Sequence, residues 1–247
     1  MTEEGKQLGT QFEGKDVYVK DVFTEISSYY DEMNNIMSMG MIKRWHKFMM
    51  KKLAPLEDTK CLDVGTGTGE IALMMAERGA DVTGLDITPS MIELAKKKFE
   101  AEGYPDVEFV VGDALNMQFD DETFDNITSG YMLRNVTDIP KAISEMYRVL
   151  KVGGKCVVAE LARPTNPFIR PFYNLYMNHV IPHYGRKYDK GESIDGREPA
   201  YDWLTASIEG FPYGQEMVDI FLEAGFKNAR YHVKSFGAVN IYMAVKE

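Results

Sequence analysis

Residues 62–70, Leu-Asp-Val-Gly-Thr-Gly-Thr-Gly-Glu, decide the fold of this chain. The stretch follows a short apolar run and precedes a helical pattern that starts near Ile71, so it predicts a strand, a tight turn and a helix start. Its glycines stand at alternate positions, where the absence of a Cβ lets the backbone pass close to a ligand. The turn also presents unpaired helix N–H groups to that ligand. We therefore expect a small-molecule site at this strand end.

The spacing of these glycines separates two kinds of nucleotide cofactor. A dinucleotide fingerprint reads G-x-G-x-x-G, but Glu70 stands where its third glycine would fall. The carboxylates of Asp63 and Glu70 would repel a pyrophosphate and attract an amino group and a sulfonium cation. The turn therefore predicts binding of S-adenosylmethionine (SAM) by Asp63, Gly65, Gly67 and Gly69, and it argues against a nicotinamide dehydrogenase.

The composition is that of an acidic globular chain. Of 247 residues, 45% are apolar, and 38 acidic against 28 basic side chains give a net charge of −10. Phosphate binding needs a basic face, which argues against nucleic acid as a partner. No apolar run approaches the ~20 residues of a membrane span, and the polar residues 1–16 do not resemble a signal peptide. Cys61 and Cys156 lie in apolar runs and are expected to be buried free thiols, so we expect a cytoplasmic protein.

Strand-like and helical segments alternate through most of the chain. We expect a flexible leader over 1–16 and a single domain over 17–247, which begins with a helical cover over 17–53. The alternation that follows predicts a mostly parallel sheet with helices on both faces and ligands beyond the carboxyl ends of its strands. One helix, over 139–150, is expected to stop at Gly153-Gly154.

Residues 162–213 interrupt the alternation with six prolines and many aromatic residues, and we interpret them as a helical insertion over the active site. Their apolar side chains would cover most of a helix's circumference, which predicts either a buried helix or a surface that grips a greasy ligand. His179 and His183 are spaced as a metal pair could be. Pro182 disturbs a helix between them and no third ligand follows, so we expect no metal.

Three further strand ends carry candidate cofactor contacts. Asp86 ends the second strand, 17 residues after the last glycine of the turn, where a carboxylate can accept both hydroxyls of a ribose. Its alternative role is to cap the helix that starts near Pro89. Asp113, followed by Ala114, can accept the amine of an adenine, or else it is a solvated turn residue. Gly130 ends the fourth strand, beside the expected methionine portion of the cofactor.

Together these motifs resemble the class I SAM-dependent methyltransferases, which implies a Rossmann-like α/β fold. The implied sheet has seven strands, mostly parallel, with an antiparallel C-terminal strand. A narrower resemblance rests on residues 133–138 (Leu-Arg-Asn-Val-Thr-Asp), 146–151 (Met-Tyr-Arg-Val-Leu-Lys) and 30–40, which begin Tyr-Asp-Glu-Met-Asn-Asn. Over about residues 20–247 the chain is similar to the ubiquinone/menaquinone biosynthesis C-methyltransferases.

That resemblance implies methyl transfer from SAM to a ring carbon of a polyprenyl quinol, such as a demethylmenaquinol. By position, it implies cofactor contacts at Thr68, Asp86, Asp113, Ala114 and Gly130. It also implies that Arg134 and Asn135 face the substrate. A guanidinium cannot act as a base at neutral pH, but it can stabilise a phenolate or orient a water that takes the proton. The alternative for Arg134 is a structural salt bridge to Asp138.

The substrate side of the site is expected to include five further residues: Tyr30, Met132, Phe172, Tyr176 and Tyr242. Because such a substrate carries a lipid tail, contact with the inner face of the membrane is one expectation. A homodimer is another.

Four positions depart from the family's pattern. Ile42 and Tyr242 stand where the family has His, Gly130 where it has Ser, and Met132 where it has a small residue. These departures leave two other enzyme functions open. The chain could methylate a non-quinone aromatic metabolite, or it could make another SAM-dependent change to a quinone. The third alternative is a SAM-binding accessory protein without turnover, against which the retained Arg134 argues.

Overall fold

A seven-stranded sheet organises the residues that this computed structural model describes, 14–189 and 200–247. Its strands, in chain order, are β1 (Lys60–Val64), β2 (Asp81–Asp86), β3 (Glu108–Val111), β4 (Phe124–Gly130), β5 (Leu150–Leu161), β6 (Lys227–Lys234) and β7 (Val239–Val245). They lie in the order β3-β2-β1-β4-β5-β7-β6.

The directions and order of the strands indicate where a ligand would bind. The pairs from β3 through β5 are parallel, and β7 is antiparallel to both β5 and β6. This confirms the predicted mostly parallel sheet with its antiparallel C-terminal strand. The strand order reverses between β1 and β4, and a reversal of this kind leaves a crevice beyond the carboxyl ends of those strands.

Helices cover the sheet and its carboxyl edge. They are α1 (Lys15–Ile26), α2 (Tyr30–Met37), α3 (Ile42–Leu53), α4 (Glu70–Ala76), α5 (Pro89–Ala101), α6 (Ile139–Val149), α7 (Arg170–Leu175), α8 (Ile181–Asp189), α9 (Ala200–Glu209) and α10 (Gln215–Glu223). A π-helical turn, Tyr176–Val180, joins α7 to α8. Within 14–189 and 200–247, no helix is both long and apolar enough to cross a membrane.

Two apolar clusters fill the space between sheet and helices. Neighbouring residues of β1 belong to different clusters, Leu62 to one and Cys61 to the other, because successive strand side chains point to opposite faces. Cys61 and Cys156 are buried free thiols, as predicted.

A third cluster joins the N-terminal helices to the insertion. Tyr18 of α1 packs edge-on against Trp203 of α9, and Met33 and Met177 are buried beside them. Of the predicted leader, residues 1–13 lie outside the described residues. The prediction that residues 15 and 16 belong to a flexible leader is wrong, because α1 already begins at Lys15, whose side chain is buried.

The predicted role of Gly153-Gly154 as a helix stop is wrong. Helix α6 ends at Val149 and β5 begins at once, because Leu150 pairs with Phe124. The glycines lie inside β5, where the register with β4 shifts. Gly153 has a φ of 86°, and a Cβ at Gly154 would stand 2.8 Å from the carbonyl oxygen of Asp125. The pair therefore allows a bulge rather than ending a helix.

Candidate active site

Two adjoining cavities flank the glycine turn. Their volumes are about 270 and 300 Å³, and both are bordered by Gly65, Gly67 and Gly130. Gly65 and Gly67 have φ of 70° and 55°, a left-handed conformation that glycine adopts without strain. A Cβ on Gly65 would overlap the side chain of Met132. The turn thus has the strand, glycine bend and helix start that the sequence predicts, with its backbone at the cavity wall.

Asp86 faces a cavity and also contacts the start of α5, although the cap residue of that helix is Thr88. Its side chain lines the 270 Å³ cavity, where it accepts hydrogen bonds from the backbone N–H of Gly67 at 2.8 Å and of Thr88 at 2.9 Å. Burial raises the pKa of this carboxyl, and the N–H donors oppose the shift. Asp86 therefore fastens the glycine turn to the start of α5 while it faces the cavity.

The far wall of the same cavity carries the other predicted cofactor residues. Asp113, Ala114 and Gly130 all line it, with Ile87 and Met91 as apolar neighbours. One carboxylate oxygen of Asp113 accepts from the N–H of Leu115 at 2.9 Å, and the residue is otherwise exposed. An acceptor beside apolar walls suits the amine and the ring of an adenine.

Asp63 lies in β1, just before the glycine turn. Its oxygens accept from the hydroxyls of Thr66 at 2.8 Å and Thr128 at 2.7 Å, and the residue borders the 300 Å³ cavity. Burial raises its pKa to about 6. Gly69 lines neither cavity, and a Cβ there would meet the ring of Phe99 at 2.7 Å. The glycine at this position is thus required for helix packing.

A polar network fastens α2 to the glycine turn. The hydroxyl of Thr68 donates to Asp31 at 2.6 Å, and the ammonium of Lys98 contacts Asp31 and Glu70 at 2.7 Å each. Thr68 and Glu70 border the 300 Å³ cavity, and the charge of Glu70 is paired with that of Lys98.

Tyr30 and Met132 close the turn from opposite sides. Tyr30 borders both cavities, and its ring carbon Cε1 would lie 3.7 Å from a Cβ on Gly67. Met132 lines the 270 Å³ cavity. Both predicted substrate residues therefore border a cavity beside the glycine turn.

The Leu133–Asn135 turn, which follows β4, carries the two candidate catalytic residues. Asn135 lines the 270 Å³ cavity, and its side-chain oxygen accepts from the indole N–H of Trp203 at 3.3 Å. Arg134 borders neither cavity. Its guanidinium is buried in an ion pair with Glu160 at 3.3 Å and also donates to the carbonyl of Tyr131.

The alternative role considered for Arg134, a salt bridge to Asp138, is wrong. Asp138 caps α6 by accepting from the N–H of Lys141 at 2.9 Å. Burial raises the pKa of Glu160, and the Arg134 guanidinium opposes the shift. Within the described residues, Nε of Arg134 has no hydrogen-bond partner.

Three predicted substrate residues lie away from both cavities. Phe172 is 74% exposed, so of the two alternatives for the insertion, a helix buried around its circumference is wrong. The hydroxyl of Tyr176 donates to the carbonyl of Met37 at 3.1 Å. Tyr242 is buried in the core, where its hydroxyl accepts from the N–H of Gly214 at 2.9 Å, so its placement in the substrate pocket is wrong.

Sequence reasoning missed two residues that line the site. His46 of α3 borders the 300 Å³ cavity, and burial lowers its pKa to about 4, so its imidazole is neutral at pH 7. Tyr131 borders both cavities with a φ of 60°. Its position directly after Gly130 was a usable signal, whereas nothing in the local sequence marks His46.

The residues around the turn fit SAM. Half-buried Asp86 offers an acceptor for ribose hydroxyls, Asp113 one for the adenine amine, and the glycines leave space that any Cβ would fill. Asp63 borders the adjoining cavity, where an amino group would lie. No group of three or more metal-binding side chains gathers within the described part of the chain.

A glycine turn and an acid at the next strand end, on a sheet of this order, define a class I SAM-dependent methyltransferase, and the family match reported below agrees that SAM is the cofactor. A SAM-dependent methyltransferase from Aquifex aeolicus superposes with a TM-score of 0.59 at 16% identity, covering 87% of this chain and 97% of its own. The chain belongs to the ubiE/COQ5 methyltransferase family, whose pattern matches residues 11–246.

Two relatives that match over almost their whole length support that membership. The ubiquinone/menaquinone biosynthesis C-methyltransferase UbiE of Desulfotalea psychrophila is 37% identical over 230 residues, which cover 92% of this chain and 90% of that protein. The demethylmenaquinone methyltransferase of Staphylococcus epidermidis is 36% identical over 238 residues, 95% of each chain. Phosphoethanolamine N-methyltransferase 2 of Haemonchus contortus, solved with SAM, shares the fold with a TM-score of 0.59 at 18% identity over 82% of this chain and 52% of its own.

Proposed function

We propose that this chain transfers the methyl group of SAM to a ring carbon of a demethylmenaquinol or a related polyprenyl quinol. The observation that carries the proposal is the Leu133–Asn135 turn, which brings Asn135 to the cavity that also holds Asp86 and Asp113. Val19 and Phe23 of α1 line the same cavity and give it an apolar wall for an aromatic ring. The names of the relatives from Desulfotalea and Staphylococcus agree with this substrate class.

The residues of the chain would activate the ring and place it. A quinol carbon becomes nucleophilic when the neighbouring hydroxyl loses its proton to water, and SAM supplies the electrophilic methyl group. The new carbon–carbon bond forms as the bond from sulfur to methyl breaks, which releases S-adenosylhomocysteine, and the ring carbon then loses its hydrogen as a proton to water. The guanidinium of Arg134 lies outside the cavity and would act on the developing phenolate through space, at a strength reduced by its ion pair with Glu160. The amide of Asn135, held by Trp203, orients the ring. Alignment of the ring carbon contributes through proximity.

The assay for this proposal uses purified protein, SAM and three acceptors. We expect turnover on chemically reduced demethylmenaquinone, less on a tail-less naphthoquinol, and none on the oxidised quinone, whose carbons are not nucleophilic. Turnover confined to small non-quinone phenols would instead support the alternative that the Met132 departure left open.

We also propose that the exposed apolar face of the insertion contacts the lipid surface in which such a quinol resides. Phe168, Phe172 and Leu175 are 81%, 74% and 57% exposed. Phe172 and Leu175 share one side of α7, and Phe168 lies in the turn that leads into that helix. Apolar side chains clustered on a surface mark interaction sites. Because the net charge is −10, the attraction would be apolar rather than electrostatic.

Replacing Phe168 and Phe172 with serine should weaken binding to phosphatidylcholine vesicles at least ~10-fold, since each ring loses apolar burial. Val152→Ser, an exposed apolar residue at the other end of β5, should have no effect. Flotation of each variant with vesicles, made with and without phosphatidylglycerol, measures this binding. If the variants float like the wild type but convert a dimer to a monomer by light scattering, the face covers a second copy instead.

A further inference from the structure

Lys15, at the start of α1, is buried although it is charged. Only 3% of it is exposed. Its ammonium donates to the carbonyl oxygens of Arg134 at 3.2 Å and of Val136 at 2.9 Å, and it lies 5.9 Å from the ring centre of Trp203. These carbonyls belong to the turn that bears the candidate catalytic residues, so a residue far away in sequence holds that turn.

The same turn is held from its other side by β5. Glu160 accepts from the backbone N–H of Arg134 at 3.4 Å and pairs with its guanidinium. Trp203, whose ring lies beside Lys15, donates to the side chain of Asn135. Lys15 therefore completes a frame that sets both the backbone of the turn and the side chain that faces the cavity.

The charges in this frame do not balance. Within the described residues, Lys15 and Arg134 are two buried cations, and Glu160 is the carboxylate that forms an ion pair with one of them. Burial, and secondarily the Arg134 charge, lower the pKa of Lys15 to about 8. A buried, unbalanced cation is unfavourable for folding by itself, so its place next to the cavity points to a role in the chemistry.

We propose that Lys15 is a positioning residue for methyl transfer, which holds the 133–136 turn against the cavity and keeps one positive charge behind the part of the cavity wall that this turn forms. The proposal rests on the proposed quinol methylation for the identity of the reaction. The positioning itself rests on the contacts of Lys15 with the turn.

The protonation of Lys15 gives this role a pH signature. Other ionisable groups around the turn in the described chain are Arg134, Glu160, Tyr30, Tyr131 and Asp16. A lysine keeps its charge below its pKa and loses it above, so the positive charge is present at pH 7 and declines as the pH rises through about 8. We therefore expect kcat to fall above about pH 8 in the wild type.

The experiment compares Lys15→Met and Lys15→Arg with Lys20→Met, an exposed lysine on the same helix. Lys15→Met should lower kcat for reduced demethylmenaquinone by about 10- to 100-fold, the scale for a misplaced reacting group. Its affinity for S-adenosylhomocysteine, measured by calorimetry, should stay within about threefold of the wild type, because Lys15 lines neither cavity. Lys15→Arg should retain part of kcat and move the alkaline decline to higher pH, and Lys20→Met should match the wild type.

Hydrogen exchange separates this proposal from the proposed function. Exchange of the peptide over 131–138 should accelerate in Lys15→Met and not in Lys20→Met, whatever the substrate. Unchanged exchange together with wild-type kcat in folded Lys15→Met would overturn the positioning role, as would an alkaline decline that is the same in wild type and Lys15→Arg. If Lys15→Met fails to fold, the pH profile of Lys15→Arg decides. A wild-type protein inactive on the quinol, with exchange accelerated as expected, would overturn only the choice of substrate.

Discussion

Replacing Arg134 with alanine should lower kcat by about 100-fold or more, the scale for losing one group that stabilises charge in the transition state. The same change should destabilise the fold by about 3–5 kcal/mol, because it leaves the carboxylate of Glu160 buried without its cation. Affinity for SAM should be nearly unchanged, since Arg134 borders neither cavity. Steady-state kinetics, thermal melting and calorimetry measure the three quantities.

Two further variants separate catalysis from stability at this ion pair. Glu160→Gln keeps the volume and the cation, so it should lose stability but much less activity than Arg134→Ala. Arg134→Lys should recover activity in part, because an ammonium keeps the charge but not the planar fork of donors. Equal losses of kcat in Glu160→Gln and Arg134→Ala would show that the pair is only structural.

Replacing Asp86 with alanine should weaken binding of S-adenosylhomocysteine at least ~10-fold, because charge-assisted hydrogen bonds of about 1.5–3 kcal/mol each are lost. The loss has two sources. Ribose hydroxyls lose their acceptor, and the N–H groups of Gly67 and Thr88 lose theirs, so the glycine turn is less well held.

Asp81→Ala is the matched control for that experiment. Asp81 is an exposed carboxylate at the opposite end of β2, so its removal changes the net charge equally without touching the site. Isothermal titration of both variants should therefore give a weak complex for Asp86→Ala and wild-type affinity for Asp81→Ala. Wild-type affinity in both would remove Asp86 from the cofactor site.

The position of the proposed cofactor residues around one cavity could be predicted because its signals are local. Glycine spacing, an acid at a strand end and a parallel sheet together place Gly65, Asp86 and Asp113 at one edge. Each of these side chains takes its position from the strand that precedes it. Local pattern is sufficient when the chemistry lies within a few residues of a strand end.

The substrate half depended on contacts between distant parts of the chain. Lys15 contacts Arg134 across 119 residues, and Arg134 pairs with Glu160 rather than with the nearby Asp138. Helical spacing suggested the nearer partner, but residues 133–135 form a short 3₁₀ turn and Asp138 starts the next helix. Tertiary packing, which no local pattern encodes, decides which partner a buried charge meets.

The insertion could not be decided from the sequence for a related reason. Apolar residues around most of the helix allowed either a buried helix or a surface for an apolar ligand, and the structure shows Phe172 exposed while Met177 is buried in the cluster with α1 and α9. Periodicity tells which residues share a face, but the number of neighbours that cover each face is a property of the whole fold.

The most direct test of methyl transfer to a ring carbon uses SAM labelled with ¹³C in its methyl group. The protein is incubated with reduced demethylmenaquinone, and the extracted quinone is examined by mass spectrometry and ¹³C NMR. We predict one added methyl group per quinone, with the label in an aryl-methyl carbon and the loss of one ring hydrogen signal. Label in a methoxy carbon, or consumption of SAM with a quinone of unchanged mass, would contradict the assignment of this chain as a quinol C-methyltransferase.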